Sequence, residues 1–188
     1  MAQNTLTPAT TIETFVLTRD QVDPALRADI GHLMFELDPE FGDEPVAASQ
    51  LTEIADSPYH AQFLVRDIER RKIVGAATMS ILLEPGFAKL GGNIGYLGGV
   101  VAKKEYLRQP FTTLASESRP AEQTTVGGSI WDEVVRWSQQ RGLIAIHFES
   151  EVWRDAAVKF YKKKSAIIPP GTIPFHFTVP KLEDAATV

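Results

Sequence analysis

The stretch GGVVAKKEYLRQPFTTLASESRPAEQTTVGGSIWDEVVRW, which runs from Gly98 to Trp137, decides the fold of this chain. It begins with an apolar run that is typical of a buried strand, and it ends in a helix that two glycines, Gly127 and Gly128, precede. Between these ends, residues 110–125 are polar and rich in Pro, Ser and Thr, as in a surface loop. The stretch therefore predicts a strand and a helix that are joined by a glycine turn with an insertion.

Upstream of this stretch, strand-like and helix-like patterns succeed one another. Asp23 is a good N-cap and Pro24 suits the first helical position, so the apolar residues that follow at helical spacing predict an amphipathic helix. The predicted elements, in chain order, are a strand at 13–19, helices at 23–37 and 47–57, a hairpin of strands at 60–67 and 72–83, and a fourth strand at 94–102.

Downstream, the helix that follows the glycines has a clear apolar stripe of Ile130, Val134 and Trp137, and Gly142 stands where a C-terminal cap belongs. A fifth strand is predicted at 143–150, another helix at 153–164 and a last strand at 171–179. The order β-α-α-β-β-β-α-β-α-β indicates one mixed α/β domain over residues 12–180, between a flexible N-terminal tail at 1–11 and a C-terminal tail at 181–188.

Composition excludes several classes of protein. The 188 residues are enough for one core, and 44% hydrophobic and 23% charged residues are ordinary for a globular domain. The chain has no cysteine and no metal-ligand spacing among its four histidines, so we expect neither a disulfide framework nor a metal. A net charge of −5 opposes non-specific binding to nucleic acid. Since no apolar run approaches the roughly 18 residues of a membrane helix and no secretory signal is evident, we expect a cytoplasmic protein without membrane contact.

The second half of the chain resembles the GCN5-related N-acetyltransferases, the GNAT superfamily, most clearly from Gly95 to Lys164. The resemblance rests on the succession of GYLGGVVA, VGGSIWDEVVRWSQQRG, LIAIHFESE and WRDAAVKFYKKK. It implies an α/β (α+β) fold, in which a mixed, mostly antiparallel sheet is flanked by helices and splayed between the fourth and fifth predicted strands. It also implies a monomer or homodimer that transfers an acetyl group from acetyl-CoA to a primary amine, without a metal.

Cofactor binding is expected where the fourth strand and the following helix meet. Free N–H groups at a helix N-terminus bind a pyrophosphate, and glycines allow close approach. Two alignments of the family's phosphate turn remain open. Either Gln123 begins it, with Val126 in place of the first glycine, or Arg108 is the family's arginine and Pro110–Thr125 interrupts one turn; we favour the second. By resemblance, the strand end also pairs with pantetheine. The candidates are Val100, Val101, Ala102, Arg108, Gln123, Val126, Gly127, Gly128 and Ser129.

The resemblance assigns the catalytic acid to Tyr161 in the segment AAVKFY, where the family's tyrosine protonates the leaving thiolate. A phenol with a pKa of about 10 can give its proton to a thiolate whose conjugate acid has a pKa of about 8.5, although this transfer is uphill. Read without the family, Phe160 and Tyr161 are core aromatics at helical spacing. Both readings predict a helix that carries this pair.

A general base is needed because an ammonium must lose a proton before it attacks a thioester. Many family members place a glutamate on the fourth strand, where this chain has Gly98 and Gly99. Glu149 is our candidate, with Glu84 as a substitute and proton loss to bulk water as a further route. His147 shares the face of Glu149 on its strand, and a hydrogen-bonded structural role is the favoured interpretation for it.

Two functions are therefore compared. The first is an N-acetyltransferase acting on a small-molecule or protein amino group. The alternative is a catalytically degenerate protein of the same fold that binds acyl-CoA or a partner, which the insertion, Val126 and the missing acid on the fourth strand would favour. The acidic segment FELDPEFGDEP, residues 35–45, could attract a cationic amine or be a solvated loop.

Overall fold

The computed structural model describes residues 10–83, 92–114, 121–150 and 155–164. The chain divides into two compact units, Met1–Glu149 and Ser150–Val188. The last predicted strand and the C-terminal tail lie outside the described residues. Among the helices that the structure describes, none is long and apolar enough to cross a membrane.

The described residues of the first unit form a sheet and three α-helices. Its strands are β1 (Thr11–Val16), β2 (His60–Asp67), β3 (Lys72–Leu82), β4 (Asn93–Ala102), β5 (Phe111–Thr113), β6 (Gln123–Thr124) and β7 (Leu143–Phe148). Its helices are α1 (Pro24–Leu37), α2 (Ala48–Asp56) and α3 (Val126–Gln140). Short 3-10 helices occupy Arg19–Gln21, Pro39–Phe41 and Lys104–Tyr106. In the second unit, the structure describes α4 (Asp155–Lys163).

The seven strands form one sheet in the order β6-β5-β1-β2-β3-β4-β7. The pairs β1–β2, β2–β3, β3–β4 and β5–β6 are antiparallel, whereas β5–β1 and β4–β7 are parallel. The predicted mixed, mostly antiparallel sheet is therefore confirmed. The predicted fifth strand is β7, which lies beside β4 as the splayed sheet of the resemblance requires.

Each face of the sheet is covered by helices and has its own core. On one face, Phe63 and Met79 of the strands are fully buried with Ile130 and Trp137 of α3. On the other face, Leu64 is buried with Leu33 of α1 and with α2. This arrangement follows from strand alternation, since successive side chains point to opposite faces and both faces need an apolar cover.

Local signals set the boundaries of α1 and of the hairpin. Asp23 accepts a hydrogen bond from the Leu26 N–H at 2.8 Å, and Pro24 occupies the first turn, as predicted. In the turn between β2 and β3, the Asp67 carboxylate accepts the Arg70 N–H at 2.9 Å, and Arg71 has a positive φ of 54°. These bonds satisfy N–H groups that the regular ladder and helix leave free.

The insertion corrects one prediction. Residues 110–125 are predicted as a surface loop, yet β5 and β6 lie within them and extend the sheet beyond β1. Phe111 is buried and stacks on Tyr106 with ring centroids 5.4 Å apart, and Thr113 is also buried. The alternation of buried and half-buried residues in this strand lets a polar segment cover the edge of β1.

Candidate functional site

The two halves of β4 have different neighbours. Ile94–Leu97 pairs with β3 on one side, and Asn93–Leu97 pairs with β7 on the other, where the last partner is Phe148, opposite Leu97. Among the residues that the structure describes, Gly98–Ala102 pairs with β3 alone. Within those residues the sheet is therefore open on one side of the second half of β4, where main-chain N–H and C=O groups have no described strand as partner.

A bulge marks the start of this open half. Thr78 pairs with Gly98 and Ala76 pairs with Val101, so β4 has one residue more than β3 between these pairs. Gly99 has a φ of 57°, which favours glycine because a Cβ is disfavoured there. A bulge of this kind leaves the extra residue unpaired and bends the strand.

The N-terminus of α3 lies beside the end of β4. A Cβ built on Gly75, the partner of Ala102, would be 2.5 Å from Cγ1 of Val126, the first residue of the helix. Val126 is only 1% exposed, so it seats the helix on β3. The opening is thus bordered by the free edge of β4 and by the positive end of a helix dipole.

The predicted glycine turn is wrong in its position, because VGGS is the first turn of α3. Thr125 is the N-cap, and its Oγ1 accepts the Gly128 N–H at 3.0 Å, while its carbonyl accepts the Ser129 N–H at 2.8 Å. Val126 needs no positive φ, since it is helical. The N–H groups of Val126 and Gly127 remain without an intrahelical acceptor.

The hydroxyl of Ser129 is also engaged, in a hydrogen bond with the Thr14 hydroxyl on β1. Ser129 is 1% exposed, so its side chain ties α3 to the sheet. Gln123, the other residue of the first alignment, is exposed on β6, where it pairs with Thr112.

A buried tyrosine anchors the segment that leaves β4. Tyr106 donates a hydrogen bond to the fully buried Asp67 carboxylate at 2.6 Å, and Arg70 donates to the Tyr106 hydroxyl at 3.1 Å. Burial, followed by the hydrogen bond to Asp67 and its negative charge, raises the pKa of Tyr106 to about 12. Arg108 follows this anchor, exposed and with a φ of 62°.

The predicted catalytic residues fall in both units. Glu149 is exposed and comes one residue after the end of β7, at the level where β4 and β7 part. Tyr161 lies on α4 of the second unit, where its ring meets Phe160 edge-on with centroids 5.2 Å apart. Glu84 lies outside the described residues. The roles of Glu149 and Tyr161 stay predictions.

Within the described ranges, no group of three or more histidines or carboxylates is arranged to hold a metal ion. The residues that sequence reasoning missed are Thr125 and Gly75. A threonine directly before a helical stripe is an N-cap signal that could have identified Thr125. No local signal marks Gly75, because its importance comes from the helix that crosses it.

No family model matches the chain, and no curated protein matches its sequence. Solved structures do match it. An aminoglycoside acetyltransferase from an uncultured soil metagenomic sample, in complex with sisomicin, has a TM-score of 0.68 at 12% identity, and the match covers 90% of this chain and 97% of that chain. A Trypanosoma brucei acetyltransferase has a TM-score of 0.62 at 16% identity, with 88% and 99% covered.

Glucosamine-6-phosphate N-acetyltransferase from Arabidopsis thaliana is a third similar structure, with a TM-score of 0.62 at 14% identity over 89% of this chain and 99% of that chain. The chain therefore has the fold of the GNAT superfamily, as its motifs implied. At these identities the likeness concerns the fold.

Proposed function

We propose that this chain is an N-acetyltransferase that transfers the acetyl group of acetyl-CoA to a primary amine by direct attack. The observation that carries the proposal is the free edge of Gly98–Ala102 beside the N-terminus of α3. A free strand edge pairs with an extended ligand that contains amides, and a helix N-terminus favours phosphate oxygens. The pantetheine arm and pyrophosphate of coenzyme A have these two chemistries in one molecule.

Each candidate cofactor residue has a role in this proposal. Val100, Val101 and Ala102 pair with the pantetheine amides through their main chain. Val126 and Gly127 offer N–H groups to the pyrophosphate, since the amides of Gly128 and Ser129 already have Thr125 as acceptor. Gly128 and Ser129 contribute to the binding through the aligned peptide dipoles of the first turn. Arg108 and Gln123 are proposed to meet the phosphates with their exposed side chains.

The reaction is a direct transfer. Glu149 takes a proton from the ammonium, and the neutral amine attacks the thioester carbonyl carbon. Main-chain N–H groups near the bulge at Val100 stabilise the charge that develops on the carbonyl oxygen. As the new C–N bond forms and the C–S bond breaks, Tyr161, the acid that the family resemblance assigns, gives its proton to the thiolate of coenzyme A. The nitrogen loses its second proton to water as the amide forms, and the Tyr161 phenolate takes a proton back from water, so that the products are the amide and the free thiol.

The experiment measures acetyl-CoA binding by calorimetry with a matched pair of variants, Gly127→Asp and Gly127→Asn. Aspartate in the first turn suits the helix dipole but repels a pyrophosphate, whereas asparagine has the same shape without the charge. We expect the dissociation constant of Gly127→Asp to be about tenfold higher than that of Gly127→Asn, equivalent to about 1.4 kcal/mol. No binding by the natural chain, or equal binding by the two variants, would contradict the cofactor site.

Turnover separates the acetyltransferase from the degenerate alternative. Release of the thiol of coenzyme A with a panel of primary amines would support the enzyme, and binding without any turnover would support the alternative. We expect Tyr161→Phe to lower kcat about 100-fold without changing acetyl-CoA binding, because the phenol hydrogen is removed and the ring is kept. An unchanged kcat would remove Tyr161 from the mechanism.

A further inference from the structure

A row of polar side chains crosses four strands next to the opening. His60 pairs with Ser80, Ser80 pairs with Tyr96, and Tyr96 pairs with His147. Partners in register share a face of the sheet, so these four side chains lie side by side. At about 4.8 Å per strand, the polar row is about 14 Å long.

The polar row lies on the face that α1 and α2 partly cover. The neighbouring row of Ala61, Met79, Leu97 and Phe148 packs in the core beneath α3, so alternation places the polar row on the other side. On that other side, Leu64, Ala76 and Val101 form the core with α1. The polar row is beyond this core, and His60, Tyr96 and His147 are exposed.

Tyr96 connects the polar row to the opening. A Cβ built on Gly98 would have Cε1 of Tyr96 as its nearest neighbour, at 3.8 Å, so the ring lies against the first residue of the free edge of β4. In the next row on the same face, the Thr78 hydroxyl donates to the Gln62 side chain at 2.9 Å, and Gln62 donates to the Ala77 carbonyl at 3.2 Å. These bonds hold the side chains beside the polar row in place.

The side chains of the row can donate and accept hydrogen bonds. It contains two hydroxyl groups and two imidazoles, and it contains no carboxylate, ammonium or guanidinium. A hydroxyl, and a neutral imidazole, can each both donate and accept a hydrogen bond. Ser57 shares a hydrogen bond with Nδ1 of His60 at 2.8 Å and so orients that ring. The hydroxyls of Ser80 and Tyr96 have no hydrogen-bond partner among the residues that the structure describes.

We propose that the polar row is the acceptor site and that it takes an amine whose carbon skeleton carries hydroxyl groups, such as an amino sugar or an amino alcohol. This inference rests on the proposed transfer reaction. The reacting amine reaches the bulge past the Tyr96 ring, and the hydroxyl groups of the acceptor bind along the row. A hydroxylated ring fits because it offers the same mixture of donors and acceptors and an apolar face for the tyrosine.

The test compares two amines, glucosamine and cyclohexylamine, which share a six-membered ring and differ in hydroxyl groups. The double variant Ser80→Ala/Tyr96→Phe removes two hydroxyls, one on a half-buried and one on an exposed side chain, and Tyr59→Phe removes an exposed phenol outside the row as a control. We expect the double variant to lower kcat/KM about tenfold for glucosamine and to leave cyclohexylamine unchanged. The different basicities of the amines cancel when the ratio of their kcat/KM values in the double variant is divided by the same ratio in the natural chain.

A binding measurement keeps this test independent of turnover. The full chain is saturated with coenzyme A, which has no acetyl group to transfer, and glucosamine binding is then followed by NMR. The dissociation constant of glucosamine should rise in the double variant but not in Tyr59→Phe. Row-dependent binding without acetylation of any amine would sustain the acceptor site and refute the transfer reaction. If the ratio of kcat/KM for glucosamine to kcat/KM for cyclohexylamine is the same in the double variant and in Tyr59→Phe, the acceptor site is refuted. If the chain neither binds glucosamine nor acetylates any amine, the acceptor site and the transfer reaction are both refuted.

Discussion

The first and second halves of β4 belong to one strand but differ in what surrounds them. Asn93–Leu97 has a strand on both sides, and Gly95 within it is buried between Met79 and Leu143. Gly98–Ala102 has a strand on one side only and contains the bulge at Gly99. Pairing on two sides therefore holds the first half in the sheet, whereas the second half has main-chain groups on one side that no described strand pairs with.

The same residue type has opposite uses in the two halves. Position 95 requires glycine because neighbouring side chains fill the space next to it. A Cβ built on Gly95 would be 2.6 Å from Sδ of Met79 and 3.0 Å from Cδ1 of Leu143. Gly98 has no atom nearer than 3.8 Å to its Cβ position, so its smallness leaves open space beside the free edge. Glycine is thus a packing requirement in one half and a means of access in the other.

The largest expected effect tests the packed half. Gly95→Val places a branched side chain where two side chains already meet, so we expect the free energy of unfolding to fall by about 3 kcal/mol, at the upper end for overpacking. Urea unfolding measures this change. The control is Gly98→Val, for which we expect a change within about 0.5 kcal/mol. Equal losses in the two variants would show that the halves do not differ as described.

Next in size is the anchor that holds the chain after the open half. Tyr106→Phe removes the phenol that donates to Asp67, a carboxylate that is fully buried. Because a buried acceptor left without its donor costs about 2 kcal/mol, we expect the free energy of unfolding of Tyr106→Phe to be lower by this amount. Urea unfolding measures this change. Tyr59→Phe, which removes an exposed phenol, should leave the unfolding midpoint in place. A midpoint unchanged in Tyr106→Phe would mean that the anchor is dispensable.

The same tyrosine predicts a dependence on pH. Because the folded-state pKa of Tyr106 is raised from 10.0 to about 12, the folded state holds this proton more tightly than the unfolded state. Its contribution is complete below pH 10 and is lost as the pH rises toward 12. The difference in unfolding free energy between the natural chain and Tyr106→Phe should therefore be constant below pH 10 and narrow above it. A difference that widens above pH 10 would contradict the raised pKa.

The smallest expected effect concerns the other border of the opening. Thr125→Ala removes the hydroxyl that caps the Gly128 N–H, which should cost about 1 kcal/mol of unfolding free energy. Thr125→Ser keeps a capping oxygen and should stay within a few tenths of a kcal/mol of the natural chain. Thermal unfolding of the two variants and of the natural chain measures these two changes in unfolding free energy. If the serine variant loses as much as the alanine variant, the threonine acts through packing.

Much of the fold could be predicted because its signals are local. Asp23 and Pro24 placed the start of α1, and the apolar stripe of Ile130, Val134 and Trp137 placed α3. The hairpin of β2 and β3 followed from two apolar runs around a polar turn. In each case, the residues that set the element lie within one or two turns of one another, so the chain displays the signal directly.

The insertion and the site could not be predicted in the same way. The strands β5 (Phe111–Thr113) and β6 (Gln123–Thr124) are each too short to show a periodic pattern. The first of them, β5, forms because it pairs with β1, a strand about 100 residues earlier. The start of α3 was missed by two residues, since glycines suggested a turn where the Thr125 cap and the buried Val126 extend the helix. Long-range packing decided these points.

The sequence by itself determined the order of the described helices and of the strands other than β5 and β6, the glycines in place of an acid on β4, and the lack of thiol chemistry, because these depend on residue type and short spacing. Only the tertiary structure decided that β7 stops pairing at Leu97, that Val126 sits over Gly75, and that Tyr96 lies beside His147. These facts join residues far apart in the chain. Their register depends on how two cores pack on one twisted sheet, which no local pattern records.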